Sequence, residues 1–139
     1  MKLFITHTFK GNENKSEIEN LCNLVNQSGW QDFSFIRDVE NFQKKFQNSK
    51  TLMSTARQAI TECDALLFDL SDPSVGKGIE LGIAYRLGKK IIIIKKPDTE
   101  IRNTVIGCAD LVIDYTDISQ ITKPLSEYLS KLTNASNNF

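Results

Sequence analysis

Apolar and polar positions follow two alternating patterns along the chain. Short apolar runs, typical of buried strands, alternate with longer segments whose apolar residues recur three or four positions apart, typical of helices. The run KKIIII lacks the polar alternation of a half-exposed strand, which indicates a parallel sheet covered on both faces. Strands are predicted at residues 2–6, 32–36, 64–70, 89–94 and 111–115.

The predicted helices lie between and after these strands, at residues 15–29, 51–63, about 78–87, 99–107 and 117–132. The polar segment 37–49 has Phe42 and Phe46 four apart and predicts a short helix or a lid. This order predicts a single-domain α/β three-layer sandwich, with an open, mostly parallel sheet of about five strands and helices on both faces. The domain is expected to span residues 1–132, followed by a frayed tail at 133–139.

The composition of the chain limits the classes of partner that it is expected to bind. The chain has 139 residues with 17 basic and 17 acidic side chains, so it lacks the surplus of positive charge that binding to polymeric nucleic acid requires. No apolar run approaches the roughly 20 residues that span a bilayer, and the first strand is too short for a signal peptide. We therefore expect a cytoplasmic protein with no membrane partner. Three widely spaced cysteines and a single histidine predict neither a metal site nor a cofactor.

Candidate chemistry concentrates in the loop SDPSVGKGIE, which follows the strand at 64–70. Gly76 and Gly78 allow a ligand to approach the backbone, Ser74 offers a hydroxyl, and the start of the next helix attracts anions. Glu80 is predicted in the first turn of that helix, where the dipole favours its ionised form. An ionised carboxylate in a partly dry pocket is a suitable nucleophile for glycosyl chemistry. A glutamate near a helix start is also common for stability alone, so the spacing leaves both interpretations open.

A longer pattern carries a family resemblance. Residues 73–82 read Pro-Ser-x-Gly-x-Gly-x-Glu-Leu-Gly between a strand and a helix, and Gly88-Lys89-Lys90 then opens the strand IIII. The chain here resembles the nucleoside 2-deoxyribosyltransferase superfamily, nearest its 2'-deoxynucleoside 5'-phosphate N-hydrolase branch. The resemblance implies that Glu80 is the nucleophile and that Ser74 helps to hold a 5'-phosphate. It also implies that Thr8 and Lys10, after the first strand, bind the same phosphate.

Two positions depart from the family pattern. Phe4 stands where the family has a tyrosine near the substrate, and Ala56 stands where it has an aspartate that assists the chemistry. Asp38 is the first choice for a substitute carboxylate, because it follows the second strand at a carboxyl end. Asp69 and Asp72 are the other candidates.

The family resemblance further implies a homodimer or higher oligomer. Asn103 and Thr104 fall where relatives contribute a residue to the neighbouring subunit's site. The leading hypothesis is cleavage or transfer at the N-glycosidic bond of a nucleoside or its 5'-monophosphate. A non-catalytic nucleotide-binding module of the same fold is the alternative, and an NAD-cleaving domain of the TIR type is a weaker one.

Overall fold

A five-stranded sheet forms the centre of the molecule. The computed structural model describes residues 1–44 and 46–137. All four strand pairings are parallel, in the order β2-β1-β3-β4-β5, which confirms the predicted three-layer α/β sandwich. The strands are β1 (Lys2–Ile5), β2 (Gln31–Ser34), β3 (Ala65–Asp69), β4 (Lys90–Lys95) and β5 (Leu111–Asp114).

Among the residues that the structure describes, six α-helices connect or follow these strands. They are α1 (Lys15–Gln27), α2 (Phe35–Asp38), α3 (Ser49–Thr61), α4 (Val75–Arg86), α5 (Asn103–Ile106) and α6 (Thr122–Asn137). Short 3-10 helices at Gly11–Glu13 and Ile118–Ile121 precede α1 and α6.

The isoleucine run of β4 explains why both faces of the sheet are covered. Successive side chains of a strand point to opposite faces. Ile92 and Ile94 join the core that contains α1 and α6, whereas Ile91 and Ile93 join the core that contains α3 and α4. All four side chains are fully buried, so each face carries one half of the hydrophobic core.

The order of the strands places a crevice beside β1. The chain passes from β1 outward to β2 and then returns to β3 on the other side of β1. In such sheets ligands bind at the carboxyl ends of the strands beside this switch point. The loops that follow β1 and β3 both lie at that edge of the sheet.

Two predicted segments between β2 and α3 differ from the structure. Phe35 and Ile36 belong to α2 rather than to the second strand, because the Ser34 side chain caps a helix there by accepting from the Arg37 amide. The segment 37–49 forms turns after α2 instead of one helix over its described residues, and Lys45 lies outside them. Backbone φ angles of +51° at Asn41 and +56° at Phe42 interrupt any helix at that point.

The last helix is longer than predicted. Helix α6 continues to Asn137, so residues 133–137 of the expected tail are helical, while residues 138 and 139 lie outside the described residues. Leu129 and Leu132 pack against the core just before this segment. The Thr133 and Ser136 hydroxyls donate to carbonyls of the preceding turn, which extends the ordered helix.

Candidate active site

Glu80 faces a small, mostly apolar cavity at the carboxyl edge of the sheet. The cavity has a volume of about 250 Å³. It lies between the loop after β1 and the helices α2, α3 and α4. Its lining consists of Ile5, His7, Phe35, Ile36, Glu40, Leu52, Met53, Ala56, Gly76 and Glu80.

The helix that carries Glu80 begins earlier than the sequence predicted. Helix α4 starts at Val75, with Ser74 as its N-cap, so Glu80 lies in the second turn instead of the first. The helix dipole weakens beyond the first turn. Burial raises the pKa of Glu80 to about 8, and the positive charge of Lys77 offsets only part of that rise. The expectation that the dipole holds Glu80 ionised was therefore wrong.

Glu40 is a second carboxylate in the same cavity. It follows α2, and its amide donates to the Phe35 carbonyl at 3.1 Å. Burial raises the pKa of Glu40, and its negative charge contributes to the raised pKa of Glu80. In the described part of the chain, neither carboxylate has a hydrogen-bond or ion-pair partner. Two unpaired carboxylates in one dry cavity are characteristic of functional sites.

Asp38, the carboxylate favoured by the sequence, points elsewhere. The Arg37 guanidinium donates to it at 2.7 and 2.8 Å and also reaches Asp32 at 2.7 Å. The Ser34 amide donates to Asp38 at 3.0 Å. Although burial acts in the other direction, these partners together lower its pKa. Asp38 thus stabilises the junction of β2 and α2 and does not line the cavity of Glu80.

A larger cavity lies on the other side of the loop that follows β1. Its volume is about 420 Å³, and its walls include Thr8, Asp69, Asp72, Lys77 and Lys96. The Thr8 hydroxyl oxygen is buried and has no hydrogen-bond partner in the described structure. Buried polar atoms are normally paired, so the unpaired Thr8 hydroxyl is an exception at the wall of the larger cavity.

Lys77 holds the loop between β3 and α4 in place. Its side chain is buried, and its ammonium donates to the backbone carbonyls of Asp69, at 3.0 Å, and Asp72. Burial lowers the pKa of Lys77, although nearby carboxylates oppose the change. The Lys77 ammonium is therefore engaged by the backbone of its own loop.

The two other candidate carboxylates, Asp69 and Asp72, also have partners. The Tyr115 hydroxyl and the Ser71 amide donate to Asp69 at 2.7 and 2.9 Å. Asp72 forms an exposed ion pair with Lys10, at 3.6 Å between Nζ and Oδ1. Both carboxylates face the larger cavity and not the cavity of Glu80.

The predicted phosphate cradle forms the first turn of α4. The Ser74 hydroxyl accepts from the Lys77 amide at 3.3 Å, and the Gly78 amide donates to the Ser74 carbonyl at 3.1 Å. Gly76 lines the cavity of Glu80. A Cβ atom at Gly76 or Gly78 would meet nothing within 4 Å, so no packing within the described chain requires these glycines.

Phe4 is a core residue. Its side chain is fully buried and packs against Phe33, with 5.5 Å between the ring centroids. It lines neither cavity, because its position in β1 directs it into the core between the sheet and the helices α3 and α4. The predicted contact of Phe4 with a substrate is therefore not found at either cavity.

Ala56, Asn103 and Thr104 are the remaining positions that the family resemblance singled out. Ala56, where the family pattern has an aspartate, lines the cavity of Glu80. It leaves space in the cavity wall that a longer side chain would fill. Asn103 and Thr104 are exposed on α5, and their role toward a neighbouring subunit stays a prediction.

Sequence reasoning missed two lining residues. His7, the single histidine, was not among the predicted site residues, yet it lines both cavities. Burial and the charges of Lys77 and Arg37 lower its pKa to about 3, so the imidazole is neutral. Glu40 was not among the predicted site residues either. The apolar residues Phe35 and Ile36 before it were the available signal, because a helix there turns the following segment inward.

Within the described ranges 1–44 and 46–137, no group of three His, Cys, Asp or Glu side chains comes together in a way that could hold a metal ion. No helix in those ranges is long and apolar enough to cross a membrane.

The family model described as nucleoside 2-deoxyribosyltransferase matches residues 6–123 of this chain. The chain belongs to the nucleoside 2-deoxyribosyltransferase family. The match includes the loop after β1, the larger cavity, the lining of the Glu80 cavity except Ile5, and the whole of α4. Comparison with curated proteins gives no match.

Solved structures of low sequence identity share the fold. A CMP N-glycosidase from Clostridium botulinum is 23% identical, with a TM-score of 0.69, over 92% of this chain and 99% of the other. A 2-deoxyribosyltransferase from Bacillus psychrosaccharolyticus is 16% identical, with a TM-score of 0.71, over 88% and 90%. A conserved protein from Enterococcus faecalis is 11% identical, with a TM-score of 0.77, over 92% and 98%.

Proposed function

We propose that this protein cleaves or transfers the N-glycosidic bond of a nucleoside or a nucleoside 5'-monophosphate, with Glu80 as the nucleophile. The family supports nucleoside glycosyl chemistry in general. The observation that carries the assignment to Glu80 is its unpaired carboxylate in an apolar cavity, with a pKa raised to about 8. Such a carboxylate is costly to the fold and is characteristic of catalytic sites.

The cavity suits a sugar and a base. Phe35, Leu52 and Met53 offer apolar surface for a base, and Glu80 in the same lining would face C1' of a bound substrate. The Glu80 carboxylate would attack C1', the C1'–N bond would break, and a glycosyl-enzyme ester would form. Water or a second base would then attack C1' and release Glu80. No metal or organic cofactor is needed for these two reaction steps.

The 5' end of the substrate would lie at the start of α4. The hydroxyls of Ser74 and Thr8 and the free amides of the first turn, at Gly76, are suited to phosphate oxygens. Gly78 keeps that turn open to the ligand. Lys10 would exchange its exposed partner Asp72 for the phosphate. If a 5'-phosphate is bound here, we expect hydrolysis rather than base exchange.

Two features of the proposal come from related proteins. The similar structure from Clostridium botulinum is named for cleavage of CMP and that from Bacillus psychrosaccharolyticus for transfer of 2-deoxyribosyl groups. Both names describe chemistry at an N-glycosidic bond. By the same family analogy we propose a homodimer or higher homo-oligomer, in which Asn103 and Thr104 approach the site of the neighbouring subunit.

The test is release of free base, followed by chromatography. The panel contains ribonucleosides, 2'-deoxyribonucleosides, their 5'-monophosphates and NAD. Wild type is compared with Glu80→Gln, which keeps the shape of the side chain, and with Glu127→Gln, an exposed glutamate on α6. We expect wild type and Glu127→Gln to release base and Glu80→Gln to lose at least about 10³-fold in rate. Base release by Glu80→Gln at the wild-type rate would refute the assignment. Nucleotide binding without turnover in wild type would identify a binding module.

A further inference from the structure

Among the described residues, the cavity of Glu80 is lined by one other carboxyl group, which comes from a different part of the chain. Glu80 lies on α4, whereas Glu40 follows α2. The remaining titratable group of the lining is His7, whose neutral imidazole neither donates nor takes a proton readily near neutral pH. Asp38, Asp69 and Asp72 are held by partners outside this cavity. Glu40 is thus the free acid group nearest to the proposed chemistry.

We propose that Glu40 is the proton donor to the departing base, and therefore the second carboxyl of the reaction carried by Glu80. This inference rests on the proposed function. The position follows from the cavity itself: Glu40 and Glu80 line it together with the small Ala56, which leaves room between the walls for a substrate. Glycosyl reactions use such a pair, one carboxyl as acid and the other as nucleophile.

The electrostatics of the pair favour one shared proton. Burial raises the pKa of both carboxyls, and each negative charge makes the other harder to form. Lys77 favours the ionised form of Glu80 from the side of α4. A substrate whose electron-poor C1' lies against Glu80 favours that ionised form as well. The single proton then resides on Glu40, where it faces the base.

The proton balance closes over one turnover. In the first step the Glu80–C1' bond forms, the C1'–N bond breaks, and the Glu40 proton passes to the leaving base. In the second step water attacks C1', its proton passes to Glu40, and the ester bond to Glu80 breaks. The products are the free base and the sugar with a C1' hydroxyl, and the carboxyl pair again holds one proton.

The experiment separates proton donation from other roles by changing the leaving group. Guanosine, uridine and their 2'-deoxy and 5'-phosphate forms are compared with N7-methylguanine and 5-fluorouracil counterparts, whose bases depart with less need for a proton. Glu40→Gln is the test variant. Asp38→Asn is the control, because it removes a carboxylate two residues away that lies outside the cavity. Thermal melting of each variant reports on folding.

We expect Glu40→Gln to slow base release from the ordinary substrates by about 10²–10³-fold. The same variant should lose less than about tenfold on the activated substrates. In wild type the rate should also fall at alkaline pH, as the carboxyl pair, whose pKa values are raised, loses its proton, and Glu40→Gln should lack that alkaline fall. A misfolded variant would lose activity on both substrate classes together with its melting transition. In that case Glu40→Asp, which keeps the acid, is examined by the same substrate comparison.

Three outcomes would overturn the assignment, and they differ in meaning. Equal losses on ordinary and activated substrates in a folded variant would mean that Glu40 positions the substrate and donates no proton. Unchanged rates on both classes would mean that Glu40 has no part in the reaction. Absence of base release by wild type from every substrate would refute the proposed function itself, and the inference about Glu40 with it.

Discussion

The buried ammonium of Lys77 donates to the backbone carbonyl of Asp69 at 3.0 Å. This bond joins the first turn of α4 to the end of β3. A second bond to the Asp72 carbonyl closes the loop between them, and the Phe68 ring lies 4.9 Å from the ammonium. Because α4 carries Glu80, the geometry of the site depends on this clamp.

Replacement of Lys77 with methionine keeps most of the side-chain volume and removes the donor. Two partly buried carbonyls would lose their partner, so we expect a loss of about 1–3 kcal/mol in the free energy of unfolding. Urea denaturation measures it, with the exposed Lys131→Met on α6 as the control. If Lys77→Met were as stable as Lys131→Met, the ammonium would not be holding the loop.

The raised pKa of Glu80 predicts a pH dependence of stability. The folded state keeps the proton up to about pH 8, whereas an unfolded glutamate releases it near 4.5. The folded protein therefore binds more protons between these values, and this group's contribution to stability falls as pH rises through that window. Glu80→Gln has no such group. We expect the stability of Glu80→Gln relative to wild type to increase from pH 5 to pH 8.

Urea denaturation of wild type and Glu80→Gln at several pH values tests this expectation. The relative gain should reach at least about 1 kcal/mol, which is less than the roughly 1.4 kcal/mol that one unit of pKa shift is worth. Titrating groups that do not interact with Glu80 are present in both proteins and cancel in the difference, whereas Glu40, whose charge acts on Glu80, contributes to it. A difference that stays constant between pH 5 and pH 8 would show that the pKa of Glu80 is ordinary.

The fold was readable from the sequence where local and global signals agreed. The four isoleucines of β4 predict a doubly covered parallel strand, and the structure buries all four. Ser74 and the following glycines predicted the strand-loop-helix setting of Glu80, although the helix starts at Val75. The choice between Asp38 and Glu40 was not readable. It depends on the Ser34 cap and on the Arg37 ion pairs, which turn Asp38 away and the next segment inward.

Asp38 itself gives a prediction that distinguishes the sequence from the structure. Asp38→Asn weakens a partly exposed ion pair with Arg37, so we expect less than about 1 kcal/mol of destabilisation. Because Asp38 lies outside the cavity of Glu80, kcat/KM for base release should stay within about twofold of wild type. Steady-state kinetics measures this. A loss above tenfold in a folded protein would restore Asp38 as the catalytic candidate.

Ala56 tests whether the small cavity is the substrate site. Its side chain lies on α3, is buried, and lines the same cavity as Glu40 and Glu80. Ala56→Leu would fill part of the roughly 250 Å³ available. We expect kcat/KM to fall by about 10²-fold through misplacement of the substrate, with little loss of stability because the added atoms enter open space. The exposed Ser54→Leu on the same helix is the control. Full activity in a folded Ala56→Leu would place the substrate elsewhere.

Thr8 and Thr6 form a matched pair for the proposed 5'-phosphate contact. The buried Thr8 hydroxyl has no partner in the described structure, whereas the Thr6 hydroxyl donates to the Leu67 carbonyl at 2.8 Å. Thr8→Val removes an unpaired polar group, so we expect unchanged or higher thermal stability. Thr6→Val breaks a buried hydrogen bond and should cost about 1 kcal/mol.

Replacement of Thr8 should affect activity toward 5'-monophosphates and toward nucleosides differently. Loss of a hydrogen bond to a charged phosphate is worth about 1.5–3 kcal/mol, or at least about tenfold in rate. Thr8→Val should therefore reduce kcat/KM at least tenfold for 5'-monophosphates and less than twofold for the matching nucleosides. Equal effects on both substrate types would contradict a phosphate contact. The Thr8 hydroxyl would then face another group of the substrate, and the larger cavity would not hold the phosphate.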